Sequence, residues 1–178
     1  MTLLSVYAVG ALLVGLAALW LPVPPIRAWP LLIVAALPQL PIIAGIRGPA
    51  LVLISAVALA LWAWQNRHSA GAIVASAGCL LNLGTMLVHG GAMPVHPDTL
   101  ARIGVTASPG TALIGSKDLA SDLAATALLG DWIIVPLHVV TLVVSPGDLL
   151  VVAGIALWLL AGRKEKHDAR TVASTSAA

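Results

Sequence analysis

Two aspartates and the polar residues near them are the groups in this chain whose types and spacing could do chemistry. Asp131 and Asp148 lie seventeen residues apart, and Asp148 stands three residues after Ser145 at the head of an apolar run. Two carboxyls brought together can share a proton, one activating a water and the other donating to a carbonyl oxygen. The same residues also have plainer roles. Ser145 and Asp148 have the spacing of a capping box, with Pro146 at the first helical position, and an aspartate at a helix start faces the positive end of the dipole. Asp131 follows Gly130 as a turn former does. His89, His96 and His138, with Asp98 or Asp131, offer a second chemistry, a divalent metal held at a membrane surface. No two of these histidines have the i, i+4 spacing of a helical zinc site, so neither a metal nor a cofactor is expected.

The elements that must position these residues are set by composition. The hydrophobic share is 60%, the charged share 9% and the mean hydropathy +1.02. A soluble domain carries about 25% charged residues, so the expected solvent is lipid. The net charge is +2, and four of the nine Lys and Arg residues (Arg163, Lys164, Lys166, Arg170) follow Leu160. The basic excess therefore marks a tail rather than a nucleic-acid surface. The lone Cys79 lies in an apolar run and reads as buried filler.

Apolar runs predict membrane spans at about residues 3–21, 29–46, 50–65, 70–88 and 146–161, each near the length that crosses the hydrocarbon core. The second is interrupted by Pro38 and Pro41, with Gln39 placed to satisfy a freed backbone group. Trp20, Trp29, Trp62 and Trp64 mark one half of an aromatic belt. Residues 89–145 form a long outward-facing loop, the length at which loops are functional or disordered. Within it, residues 118–129 could form an interfacial helix. Trp132 to Val144 is apolar but too short for a full span, which suits a re-entrant or interfacial segment. If that segment crosses, there are six spans instead of five. Either count leaves the basic tail, residues 163–178, cytosolic, and its small polar residues predict disorder.

The run Gly90-Gly91-Ala92-Met93-Pro94 after Asn82, then Gly130-Asp131, then Ser145-Pro146-Gly147-Asp148 resembles a family of small bacterial polytopic membrane proteins. That family is catalogued as a domain of unknown function. The resemblance covers most of the chain and implies a shape without an activity. With His89 added, it points to Asn82, His89, Gly90, Gly91, Met93, Pro94 and Ser145 as binding residues. A second resemblance, to lipoprotein signal peptidase, implies catalysis by Asp131 and Asp148, although Asn82 is followed by Leu83-Gly84-Thr85 where that family has Asn-x-x-Asp-Arg.

The expectation is thus an all-α polytopic transmembrane helix bundle of five spans, or six, forming a single domain over residues 1–162. It would lie in the bacterial inner (plasma) membrane as a multi-pass protein with a cytoplasmic C-terminus. Its partners would be the lipid bilayer and a membrane protein, and not nucleic acid. A structural or partner-binding role is expected. An aspartyl-type hydrolase and a small transporter or metal-handling protein are the alternatives.

Overall fold

The computed structural model describes residues 26–105, 113, 117–120, 128–136 and 141–176. Proline and glycine set the boundaries of its helices. α1 (Pro30–Ala36) starts on a proline, and α2 (Gln39–Ile43) follows immediately after Pro38. A proline lacks the amide that would continue the ladder, so one apolar run becomes two short helices. Gln39 donates from Nε2 to the Ser55 hydroxyl at 2.8 Å. α3 (Pro49–Gln65) again opens on proline. α4 (Ala70–Val88) is capped by Ser69, whose hydroxyl accepts from the Ala72 amide.

The end of α4 requires glycine for two separate reasons. Gly90 and Gly91 have φ of +67° and +99°, and the Gly91 amide donates to the Met86 carbonyl at 2.7 Å. A side chain on Gly91 would also stand 3.1 Å from the backbone nitrogen of Gly48. Left-handed backbone and close approach coincide there.

α6 (Pro146–Ser176) packs antiparallel along α4 with the two backbones touching. A Cβ on Gly71 would meet the Trp158 nitrogen at 2.5 Å, and one on Gly78 would meet the Val151 nitrogen at 2.7 Å. Gly154 lies against Ala75, and Gly147 against Asn82. Positions 71, 75, 78 and 82 recur at helical spacing, so they form one seam of small residues that ends in Asn82.

Beyond the helices lies a small cap. β1 (Met93–Val95) pairs in parallel with β2 (Lys117–Leu119), Met93 opposite Lys117. On the other edge of β1, Val95 bridges to Asp131. α5 (Pro97–Arg102) starts at His96, whose Nδ1 accepts from the Asp98 amide at 3.2 Å. β3 (Ile133–Pro136) and β4 (Thr141–Val144) form an antiparallel hairpin, with Ile133 opposite Val144. Ser145 then leads directly into α6. One apolar cluster (Ile42, Val52, Leu59, Trp62, Ala72, Leu83, Met86, Met93) fills the helix layer, and a second (Val95, Leu100, Leu119) fills the cap.

This is not the five-span all-α bundle that the apolar runs predict. One helix among the described residues, Ala70–Val88, is long and apolar enough to cross a membrane by length and composition, and two small sheets occupy the stretch expected to be a loop. The second run fails as a continuous helix because Pro38 and Pro41 break it. Pro49–Gln65 and the apolar part of the last helix, Pro146–Gly162, are shorter than a full crossing length. Within the segment expected to be re-entrant or interfacial, Ile133–Pro136 and Thr141–Val144 pair as antiparallel strands, which suits their β-branched residues. Asp118 and Leu119, the start of the segment 118–129 expected to form an interfacial helix, lie in the strand Lys117–Leu119. α6 continues helical to Ser176, through residues expected to be disordered. The predicted first span, at residues 3–21, lies outside the described residues.

Candidate functional site

The head of α6 carries a closed ring of hydrogen bonds. The Asp148 amide donates to the Ser145 hydroxyl at 3.1 Å, and the Ser145 amide donates to Asp148 Oδ2 at 2.9 Å. This is a reciprocal cap, and it satisfies two amides that the helix itself leaves open. Asn82 completes the ring from α4. Its Nδ2 donates to Asp148 Oδ1 at 2.8 Å, and its Oδ1 accepts from the Ser145 hydroxyl at 2.9 Å. Ser145 is fully buried. Gly147 is what lets Asn82 approach, since a Cβ at that position would collide with the Asn82 carboxamide. Both Asp148 oxygens and the Ser145 hydroxyl are therefore committed to holding the start of α6 against α4.

Asp131 is placed by the cap. Its amide donates to the Pro94 carbonyl at 2.9 Å, and its carbonyl accepts from the His96 amide at 3.1 Å. Its side chain, only 2% exposed, is ion-paired through Oδ2 with Lys117, which also donates to the Val143 carbonyl at 3.0 Å. Burial pushes the Asp131 carboxyl above the usual carboxylate range. The Lys117 ammonium and its hydrogen bond pull it back, and the Asp148 carboxylate adds to the rise. A second pair joins Arg47, in the turn before α3, to Asp118, and Arg47 also approaches the Lys117 carbonyl at 3.5 Å. The two pairs tie the α2–α3 turn, β2, the Asp131 bridge and β4 into one charged layer over the helices. Asp118 Oδ1 is buried without a hydrogen-bond partner among the described residues.

The structure brings Asn82, Ser145 and Asp148 together and gives Asp131 a different partner. Among the described residues no hydrogen bond joins the two carboxyls. His89 Nδ1 lies 2.7 Å from the Thr85 carbonyl of its own helix, and His96 caps α5. Gly90 and Gly91 make the turn, Met93 fills the helix-layer core, and Pro94 lies buried in β1. His138 lies outside the described residues. No group of three His, Cys, Asp or Glu side chains suited to a metal ion occurs among the described residues.

Nothing in the spacing of Lys117, Asp118 and Arg47 marks them as a group. The signal was their rarity: opposite charges recurring in a stretch between apolar runs. What the arrangement offers chemically is rigidity. Each carboxylate is held by a cation or by amide donors, in the geometry of fixed acceptors rather than of a carboxyl pair sharing one proton.

Residues 14–160 match the model of a family described as a family of unknown function (DUF5317). No curated protein and no solved structure matches the chain.

Proposed function

The chain belongs to the DUF5317 family, whose function is unknown, and on that premise we propose that it is a membrane-embedded structural or partner-binding protein. Lipid covers its helix layer, and the ion-paired cap is held at one membrane face for a membrane-protein partner. The observation that carries this reading is that the helices are apolar outside as well as inside. Leu53, Ile54, Val57 and Leu61 on α3 are each about half exposed, and Leu149, Val152, Leu157 and Leu160 on α6 are comparably open. A helix apolar all round needs lipid or protein on its outer side. At the far end, the Arg27 amide and carbonyl are bound by the Asn66 side chain at 3.1 and 3.0 Å, and Arg67 stacks over the Trp64 ring at 4.8 Å. Cations and tryptophans gathered at helix ends suit a membrane–water boundary.

In this reading the protein lies in a bacterial inner membrane, and the basic residues from Arg163 to Arg170 support a cytoplasmic C-terminus. Cell fractionation with C-terminal fusions tests this. The protein should stay in the pellet through an alkaline carbonate wash, a fluorescent-protein fusion should fluoresce, and an alkaline phosphatase fusion should be inactive. Release by carbonate overturns the membrane reading, and an active phosphatase overturns the orientation.

The alternative reading is an aspartyl-type hydrolase acting through Asp131, whose side chain is 2% exposed, and Asp148. The two readings differ in what Asp148→Asn does. As a cap, it loses one acceptor and costs about 0.5–2 kcal/mol, with Ser145→Ala costing a similar amount. As a catalytic group, Asp148→Asn and Asp131→Asn abolish the same membrane phenotype together, while Ser145→Ala, at a comparable loss of stability, keeps it. Thermal unfolding of the three variants in detergent, beside that phenotype, separates the two.

A further inference from the structure

We propose that the β3–β4 hairpin is a lipid-docking finger that lies at the headgroup level of the bilayer, on the side where α6 begins. This rests on the membrane reading above and adds an interaction surface to it. Val143 packs against the cap cluster of Val95, Leu100 and Leu119. Cross-strand partners in an antiparallel pair point to the same side. Ile134, opposite Val143, therefore faces the cap, and the pairs Ile133–Val144 and Val135–Leu142 share the other face. That outer face is wholly apolar, and its four residues are only partly buried.

Three features fix the occupant as lipid at its boundary with water. The hairpin is continuous with the apolar outer face of α6, because β4 joins α6 through Ser145 alone and Leu149 and Leu150 are exposed just beyond. Trp132, at the foot of β3, is 42% exposed, yet its ring N–H is already bonded to the Leu128 carbonyl at 3.1 Å. It therefore offers an apolar ring with a satisfied polar tip, the arrangement favoured at the headgroup boundary. Leu128 and Leu129 are exposed beside it. A two-stranded sheet also leaves unpaired backbone groups at its edges, and these need water, so the finger lies at the surface rather than in the hydrocarbon.

Spin-label depth measurements test this on the full chain in vesicles of phosphatidylethanolamine and phosphatidylglycerol. Single labels would be placed by Val135→Cys, Leu142→Cys, Leu53→Cys and Asp98→Cys in a Cys79→Ala background. Asp98, whose side chain is 79% exposed, is the water reference, and Leu53 on α3 tests the membrane reading separately. The expected result is an oxygen-to-nickel-chelate collision ratio at Val135 and Leu142 several-fold above that at Asp98, and below that at Leu53. If Val135 and Leu142 match Asp98 while Leu53 reads lipid, the finger stands in water and the proposal falls alone. If both hairpin labels are shielded from oxygen and chelate alike, a protein covers the face and the proposal falls. If Leu53 also reads water, the membrane reading fails and takes the proposal with it.

Discussion

Lys117→Met should be the most damaging single substitution in the cap, lowering stability by about 3–5 kcal/mol, the usual cost of leaving one member of a buried ion pair alone. Asp131 is almost completely buried, and Lys117 is the cation that holds its carboxylate there. The effect should depend on pH with a definite sign. Burial already raises the Asp131 carboxyl, so the folded state keeps that proton at a pH where an unfolded chain, with its carboxyl near about 3.9, has lost it. Ionising such a group therefore opposes folding as pH rises through the raised value. Removing Lys117 deletes the influences that lower it and moves the window further up. The deficit of Lys117→Met relative to the native chain should thus be larger at about pH 8 than at about pH 5. Adding Asp131→Leu removes the stranded charge and should recover most of the loss. Thermal unfolding of the single and double variants at both pH values checks this. A pH-independent deficit, or a double variant worse than the single, would contradict it.

Asn82→Ala should have the next largest effect, about 1–3 kcal/mol, because it leaves buried polar groups without partners rather than merely deleting a bond. Without Asn82, the Ser145 hydroxyl loses its acceptor and Asp148 Oδ1 loses its donor. The contact of Gly147 with the carboxamide becomes a void between α4 and α6. The substitution should lower the melting temperature, and because Asn82 ties the two helices together, proteolysis should show α6 released first. An unfolding curve indistinguishable from that of the native chain would remove Asn82 from the account.

Those two sites differ in how far they could be read from residues alone. The Ser145–Asp148 cap is local, three residues apart, and follows from residue type and spacing. The runs that become α3 and α4 are likewise local, with Pro49 at the start of α3 and Ser69 capping α4. The link from Asn82 to Ser145 and Asp148 spans more than sixty residues. It depends on the antiparallel contact of α4 with α6, for which Gly71, Gly78, Gly147 and Gly154 were the sequence trace. The Lys117–Asp131 pair had no such trace. It arises because β2 and the isolated bridge residue Asp131 both flank β1, and a stretch as short as Met93–Val95 or Lys117–Leu119 carries no readable period. For the same reason the cap was expected to be a loop. The length and apolarity of the hairpin's segment also suit a membrane segment, because a continuous apolar run does not distinguish a strand from a helix. Pro38 and Pro41 were visible as kinks, but local pattern does not show whether neighbouring helices re-satisfy the freed carbonyls or the helix breaks. Here it breaks.

Asp148 latches α6 to α4 through Asn82, and a double-mutant cycle of Asn82→Ala and Asp148→Ala, read by reversible unfolding, tests this most directly. The latch predicts a coupling energy of about 0.5–3 kcal/mol between the two positions, since either substitution alone already breaks the ring they share. Losses that add to within about 0.3–0.5 kcal/mol, as for independent sites, would contradict it.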